Sequence, residues 1–295
     1  MKVMKFGGTS VGSPELIKNV ATLITASKEQ VFVVLSAMSG TTNALIEISD
    51  YLIKRNPEGA NELINRLETS YLSHVDALYS TQEYKEKTQT TLLQIFSYLR
   101  SFTKGHFTSF ESHRVVAQGE IMSTNMMANY LLEQGYHTTL IDALSFMRTD
   151  KNAEPDMEYI KHHLKEAMQG HEDSQVYITQ GFICRNSYGE IANLQRGGSD
   201  YTASLVGVSL PAEEIQIWTD IDGMHNNDPR FVDKTTAIHQ LNFEEAAELA
   251  YFGAKILHPT CVQPAKFYGV PVRLKHTMDP HAEGTIIDNN LVRGK

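Results

Sequence analysis

Four short segments of this chain carry the residue types that phosphate chemistry needs: Lys5-Phe6-Gly7-Gly8-Thr9-Ser10, Ser36 to Asn43, Arg196-Gly197-Gly198-Ser199-Asp200, and Thr219-Asp220. Lys5 beside two glycines offers an ammonium for charge and bare backbone N–H groups for oxygens. Arg196 on a glycine loop offers a planar fork suited to a carboxylate, and Ser199 or Asp200 can cap the small-residue helix running through Ala203, Ser204 and Gly207. None of the segments matches GxxxxGKS/T or GxGxxG, so the Walker and dinucleotide-binding patterns are both missing. Each segment alone also has a plain structural reading: a snorkelling lysine at a tight turn, a glycine hinge, a helix cap.

The elements around these segments give them a common place. Met1 to Phe6 alternates and runs into the glycine turn, after which Ser13 and Pro14 suit the start of a helix with apolar Leu16, Ile17, Val20, Leu23 and Ile24. Val31 to Leu35 is a β-branched run of the kind buried on both faces, which completes a βαβ unit; a helix is expected from near Ala44. From about Asn61 to Gly135 the pattern is helical, with Leu63, Leu67 and Tyr71 on one stripe and Leu92, Leu93, Phe96 and Leu99 on another. In Ser112 to Glu133, Val116, Glu120, Ser123 and Met127 fall at i, i+4, i+7 and i+11, which places Glu120 on or beside the apolar side, an unusual position for a carboxylate. Strands are expected at Thr138 to Ile141, Val176 to Ile183, Ile215 to Trp218, Val272 to Leu274 and Thr285 to Ile287. A hairpin turn is expected at Asn186 to Gly189, and an Asn242-capped helix from Phe243 to Phe252. The alternation predicts an α/β protein with a largely parallel sheet, in which ligands gather at the C-terminal ends of strands.

Composition narrows the function classes. The 295 residues carry 26 Lys+Arg against 35 Asp+Glu, and a net charge of −9 disfavours sequence-independent binding to nucleic acid or to an anionic membrane. No stretch approaches the roughly 18 apolar residues of a membrane span, and no secretory leader is visible, so a cytoplasmic location is expected. Cys184 and Cys261 lack CxxC spacing and read as idle thiols. No HExxH occurs, and the adjacent His162 and His163 would point about 100° apart on a helix, so no protein-held metal is expected.

Taken in order, Lys5 to Ser10, Val34 to Ala37, Gly119-Glu120, Arg196 to Ala203, Trp218 to Gly223, Asp228-Pro229-Arg230 and Gly253 to Pro259 cover nearly the whole chain, and together they resemble the aspartokinases. The resemblance implies the amino-acid kinase fold, a three-layer αβα sandwich around a mainly parallel sheet. It implies one catalytic domain over 1–295, with an amino-acid-binding part over about 1–195 and a nucleotide-binding part over about 196–295. The implied reaction transfers the γ-phosphoryl group of ATP, with Mg²⁺, to the β-carboxylate of L-aspartate, the opening step of lysine, threonine and methionine biosynthesis. By resemblance, Lys5, Asp200 and Lys255 are catalytic. Ser36, Thr42, Glu120, Arg196 and Ser199 bind aspartate, with Arg196 on its α-carboxylate and Glu120 on its ammonium. Lys5, Gly7, Gly8, Thr219, Asp220, His225, Arg230 and Lys255 hold the nucleotide. Two positions depart from the family pattern: Gln195 replaces a usual glycine, and His225 stands where many members have a tyrosine. The resemblance also implies a homo-oligomer. Aspartokinases usually carry C-terminal ACT domains, and some are fused to homoserine dehydrogenase; neither module is expected within these residues. Glutamate or acetylglutamate kinases, and a silent nucleotide-binding subunit, are the rival readings.

Overall fold

The computed structural model describes residues 1–194, 197–227, 232, 234–252 and 257–290. The chain enters through β1 (Lys2–Phe6), makes a 3₁₀ turn at Gly8–Val11, and forms α1 (Pro14–Thr25) and β2 (Val31–Leu35). A helical excursion follows in α2 (Thr41–Ile53), α3 (Pro57–Leu78), α4 (Gln82–Ser101), α5 (Ser109–Val116) and α6 (Gln118–Glu133). The chain rejoins the sheet through β3 (Thr138–Ile141), α7 (Ala143–Phe146), α8 (Met157–Met168) and β4 (Val176–Gln180), and the hairpin of β5 (Ile183–Arg185) and β6 (Ile191–Asn193) leads to α9 (Gly198–Ser209). The last part holds β7 (Ile215–Thr219), the hairpin β8 (Met224–His225) and β9 (Ala237–Ile238), β10 (Gln240–Asn242), α10 (Phe243–Phe252), α11 (Pro259–Tyr268), β11 (Val272–His276) and β12 (Thr285–Asp288).

Eight strands form one sheet in the order β10-β12-β11-β7-β1-β2-β4-β3, and every neighbouring pair is parallel except β11 with β12. Register aligns Phe6 with Leu35 and Trp218, and Leu35 with Gln180, so β1, β2, β4 and β7 all end on one edge. Alternate residues of each strand feed two cores. Met4, Phe6, Val33 and Leu35 pack with Ile17 and Val20 of α1, Ile48 of α2 and Met122 of α6. Val3, Phe32, Val34, Ile217 and Leu274 pack on the other face with Phe146, Leu164, Val206 and Val262. This is the expected αβα sandwich.

Helix starts follow their local chemistry. Ser13 Oγ accepts from the Leu16 N–H ahead of Pro14. Asn242 and Glu245 exchange side-chain-to-backbone hydrogen bonds of 2.8 Å in a capping box at α10. Several boundaries differ from the sequence expectation. α2 begins at Thr41 rather than near Ala44, because Gly40 takes φ +82° and turns the chain there. α3 starts at Pro57, capped by Asn56. On α4 Leu93 is exposed, and Ile95 joins Leu92, Phe96 and Leu99 in the core. Ser112 to Glu133 divides at Ala117 into α5 and α6. Val176 to Ile183 breaks after Gln180, where the Gly181 N–H donates to Leu35 O and Phe182 adopts φ +71°. Neither Ser199 nor Asp200 caps α9. Gly197 is its N-cap residue at φ +77°, which leaves both polar side chains in the first turn and available to other partners.

α9 lies against β7 because Gly207 has no side chain: a Cβ there would sit 2.3 Å from Ile215 Cγ1. Urea unfolding of Gly207→Ala should report a loss of about 1–3 kcal/mol from overpacking, which outweighs the roughly 1 kcal/mol that alanine adds inside a helix. An unchanged midpoint would show that the two elements can move apart freely.

Candidate active site

The first two strand exits interlock. The Gly8 carbonyl accepts from the Ser39 N–H at 3.1 Å, and a Cβ on Gly8 would lie 2.6 Å from Ala37 O, so only glycine permits this approach. α6 then grips the second exit from behind. Ser123 Oγ donates to Ser36 O at 2.7 Å, and Glu120 Oε1 accepts from the Ala37 N–H at 3.4 Å. Gly119 makes the contact possible, since its Cβ would come within 2.9 Å of Ala37 Cβ.

From the opposite side the first turn of α9 completes the arrangement. Ser36 Oγ donates to Ser199 Oγ at 2.9 Å, and Lys5 Nζ forms an ion pair with Asp200 Oδ1 at 2.8 Å. Lys5 and Asp200 keep side-chain exposures of only 13% and 16%, so water screens the pair weakly. Between these walls lies a cavity of about 390 Å³, lined among others by Gly8, Ser36, Thr42, Glu120, Phe182 and Ser199.

Glu120 is the unusual group in this cavity. It is 3% exposed and its Oε2 has no hydrogen-bond partner. Burial pushes its carboxyl up to about 7, against the lowering pull of hydrogen bonds from its own backbone amide and that of Ala37. A carboxylate in this state is suited to receive a cationic group, which would supply the missing partner. Behind it, Thr41 Oγ1 and the buried Tyr71 hydroxyl hydrogen-bond at 2.8 Å, and burial raises the Tyr71 phenol far above its usual range. That tyrosine therefore stays neutral.

The fourth exit joins the first through Thr277. Its N–H and Oγ1 both donate to Thr219 O, at 2.8 and 2.9 Å, while Ser10 Oγ lies 3.1 Å from Thr277 Oγ1. Thr219 is half-buried and donates to Asp220 Oδ1 at 3.1 Å, with Asp220 exposed at the edge. His225 is buried, with Nε2 2.6 Å from Asp222 Oδ1 and Nδ1 2.8 Å from Thr235 Oγ1. Both ring nitrogens are thus engaged inside the protein, which leaves none to bond a nucleotide. The His225 hydrogen bond also holds the Asp222 carboxyl below its usual range. Arg196, Arg230 and Lys255, and the departure at Gln195, lie outside the described residues.

Lys5, Gly7, Gly8, Ser36, Thr42, Glu120, Ser199 and Asp200 therefore gather at one edge, with Thr219 and Asp220 two strands from β2 along it. Sequence reasoning missed Phe182, whose positive φ turns it into the cavity wall; Gly181 was the available signal. It also missed Thr277, a hydroxyl residue with no pattern of its own. Among the described residues no three His, Cys, Asp or Glu side chains converge as a metal site. Burial lifts the Cys184 and Cys261 thiols to about 12, so both are inert as nucleophiles. No helix is long and apolar enough to cross a membrane among the described residues.

A family model described as "Amino acid kinase family" matches residues 1–276. The chain belongs to the amino acid kinase family. Within that family it is 32% identical over 290 residues to lysine-sensitive aspartokinase 3 of Escherichia coli (strain K12), covering 97% of this chain and 64% of that protein. It is 36% identical over 301 residues to chloroplastic aspartokinase 1 of Arabidopsis thaliana, covering 97% of this chain and 51% of that one. The structure of E. coli aspartokinase III in complex with aspartate and ADP superposes with a TM-score of 0.88 at 31% identity, over 99% of this chain and 65% of that chain. The chain thus spans between half and two thirds of the length of these relatives.

The raised Glu120 carboxyl carries a stability signature in this amino acid kinase domain. Between about pH 4.5 and 7 the unfolded chain has released this proton while the folded chain still holds it, so stability falls as pH rises through that window. Glu120→Gln should remove that part of the slope. Relative to wild type it should gain little at pH 5 and on the order of 3 kcal/mol at pH 8, read from urea midpoints without ligands. Parallel profiles would show that Glu120 ionises normally.

Proposed function

We propose that this domain is an aspartate kinase, transferring the γ-phosphoryl group of ATP to the β-carboxylate of L-aspartate. The observation that carries the reading is the weakly screened Lys5–Asp200 pair beside a cavity that also holds the buried, half-satisfied Glu120 carboxylate. The similarity to an E. coli aspartokinase whose structure holds aspartate and ADP supports the choice of substrates.

The acceptor carboxylate has an ordinary pKa near 4 and is already ionised at neutral pH, so no general base is required. Its oxygen forms a bond to the γ-phosphorus as the bond to the bridging β,γ-oxygen breaks, and ADP leaves with that electron pair. The protein's task is to stabilise charge on the moving phosphoryl group. Lys5 supplies an ammonium, which Asp200 orients from α9, and the Gly7 and Gly8 amides supply neutral donors. Lys255 is proposed as the second ammonium. Thr219, Asp220 and Arg230 are proposed to hold the nucleotide; His225, its nitrogens engaged, could add only ring-face contact.

For aspartate itself, Glu120 is proposed to take the α-ammonium and Arg196 the α-carboxylate, with Ser36, Thr42 and Ser199 completing the polar wall. Mg²⁺ is part of the proposal and would neutralise phosphate charge. A cation that keeps much of its water and rides on phosphate oxygens needs at most one or two carboxylates, and Asp200 and Asp220 are two acids at this edge that the amino-acid site does not claim.

Acyl phosphate trapped as its hydroxamate should form with aspartate and not with glutamate; the reverse preference would overturn the assignment, and product with neither would point to a silent subunit. Lys5→Ala and Asp200→Ala should each lower turnover by about tenfold or more, and near-normal turnover in either would refute its role. Arg196→Lys should mainly raise the aspartate KM, since a point charge cannot reproduce a bidentate fork. The aspartate KM should also rise as pH falls below about 7, because protonated Glu120 is a poorer partner for an ammonium. A flat KM profile would remove Glu120 from the amino-acid site.

A further inference from the structure

Away from the strand exits, a second polar hollow of about 590 Å³ opens on the other half of the sheet. Its floor is the sheet face opposite α9 and α11. Register places Gln216 of β7 beside Arg273 of β11 and Arg273 beside Ile286 of β12, with Lys275 two residues further along β11 and Lys2 at the start of β1. None of these residues lines the cavity described above.

The hydrogen bonds of this face leave an imbalance. Glu214 accepts from Gln216 Nε2 and from Arg273 Nε, both at 2.8 Å, and Gln216 Oε1 accepts from Trp218 Nε1 at 3.1 Å. Glu283 pairs with His239 at 3.3 Å and lends its carbonyl to Arg273 Nη1 at 3.4 Å. Glu214 is thus engaged and Glu283 is an exposed carboxylate, whereas the Lys2 and Lys275 ammonium groups have no carboxylate within ion-pair distance among the described residues, Glu214 and Asp279 acting on Lys275 only from further off. Lys275 lies 5.3 Å above the Trp218 ring, and burial followed by the nearby Arg273 charge lowers its pKa. The groups left over are cationic donors in a chain whose total charge is −9.

We propose that this face binds a small polyanion, one bearing two or more carboxylate or phosphate groups, bridged between Lys2 and Lys275 beside Arg273. β1 and β11 flank β7, and register sets Lys2 level with Glu214 and Lys275 level with Trp218, so their Cα atoms stand roughly 16 Å apart on this face, a gap that two long side chains reaching toward each other narrow to the span of a compact ligand. The hollow has the volume of a small-molecule site. The site does not depend on the phosphoryl-transfer reading and would stand if that reading failed.

Calorimetric titration at low ionic strength, with citrate as the carboxylate probe and inorganic pyrophosphate as the phosphorus probe, tests this. At least one anion should bind saturably with one-to-one stoichiometry, and which one does identifies the class. Lys2→Ala and Lys275→Met should each weaken that binding at least tenfold, the methionine keeping an apolar stem on Trp218 so that the fold is preserved. Lys275→Arg should retain binding. The absence of saturable binding by both anions, or undiminished binding in either charge-removing variant, would overturn the proposal.

Discussion

Parallel pairing of β1 with both β2 and β7 is the constraint on which the rest of this structure depends. Parallel strands cannot be joined by a tight hairpin, so each return requires a crossover, and the crossover helices must lie on the sheet faces. Two consequences follow at once. The strands are buried on both sides, as the wholly buried Val31–Leu35 shows, and their exits share one edge. Backbone N–H groups, glycine turns and helix starts from distant parts of the chain are thereby delivered to one line without any sequence proximity.

Charge is placed on that line at a cost. A nearly buried ammonium–carboxylate pair such as Lys5–Asp200 is a weak source of stability, because desolvation offsets much of its attraction. Glu120 is worse in isolation, with burial raising its pKa and one oxygen lacking a partner. A fold selected for stability alone would fill these positions with apolar side chains. Their presence is what the proposed site, one for an ammonium and a migrating phosphoryl group, would require.

Much of this was legible in the residues, and the boundary has a physical basis. The β-branched run of β2, the Ser13-Pro14 helix start and the Asn242 cap depend on local propensity, which one sequence displays. Glu120 was visible as a carboxylate on an apolar helical stripe. The first turn of α9 was misread because Ser199 and Asp200 are both good cap residues. Their partners, Ser36 and Lys5, lie more than 160 positions away, and only the sheet register brings them close. Phe182 escaped notice for a related reason, as a positive φ on an aromatic residue is imposed by its surroundings and leaves no mark in composition. The clustered cations of the open sheet face were hidden in the same way, since Lys2 and Lys275 are separated by nearly the whole chain.

The contact of Gly8 with the second exit loop has a thermodynamic side. The Ser39 N–H is tied to Gly8 O, Ser36 O to Ser123, and Ala37 to both Gly119 and Glu120, so these loop residues lose their conformational freedom when the domain folds. Ordering entropy that a floppy loop would give up on meeting its ligand has already been spent. The pocket is preorganised, and more of each contact with an incoming molecule is available as affinity or as transition-state stabilisation.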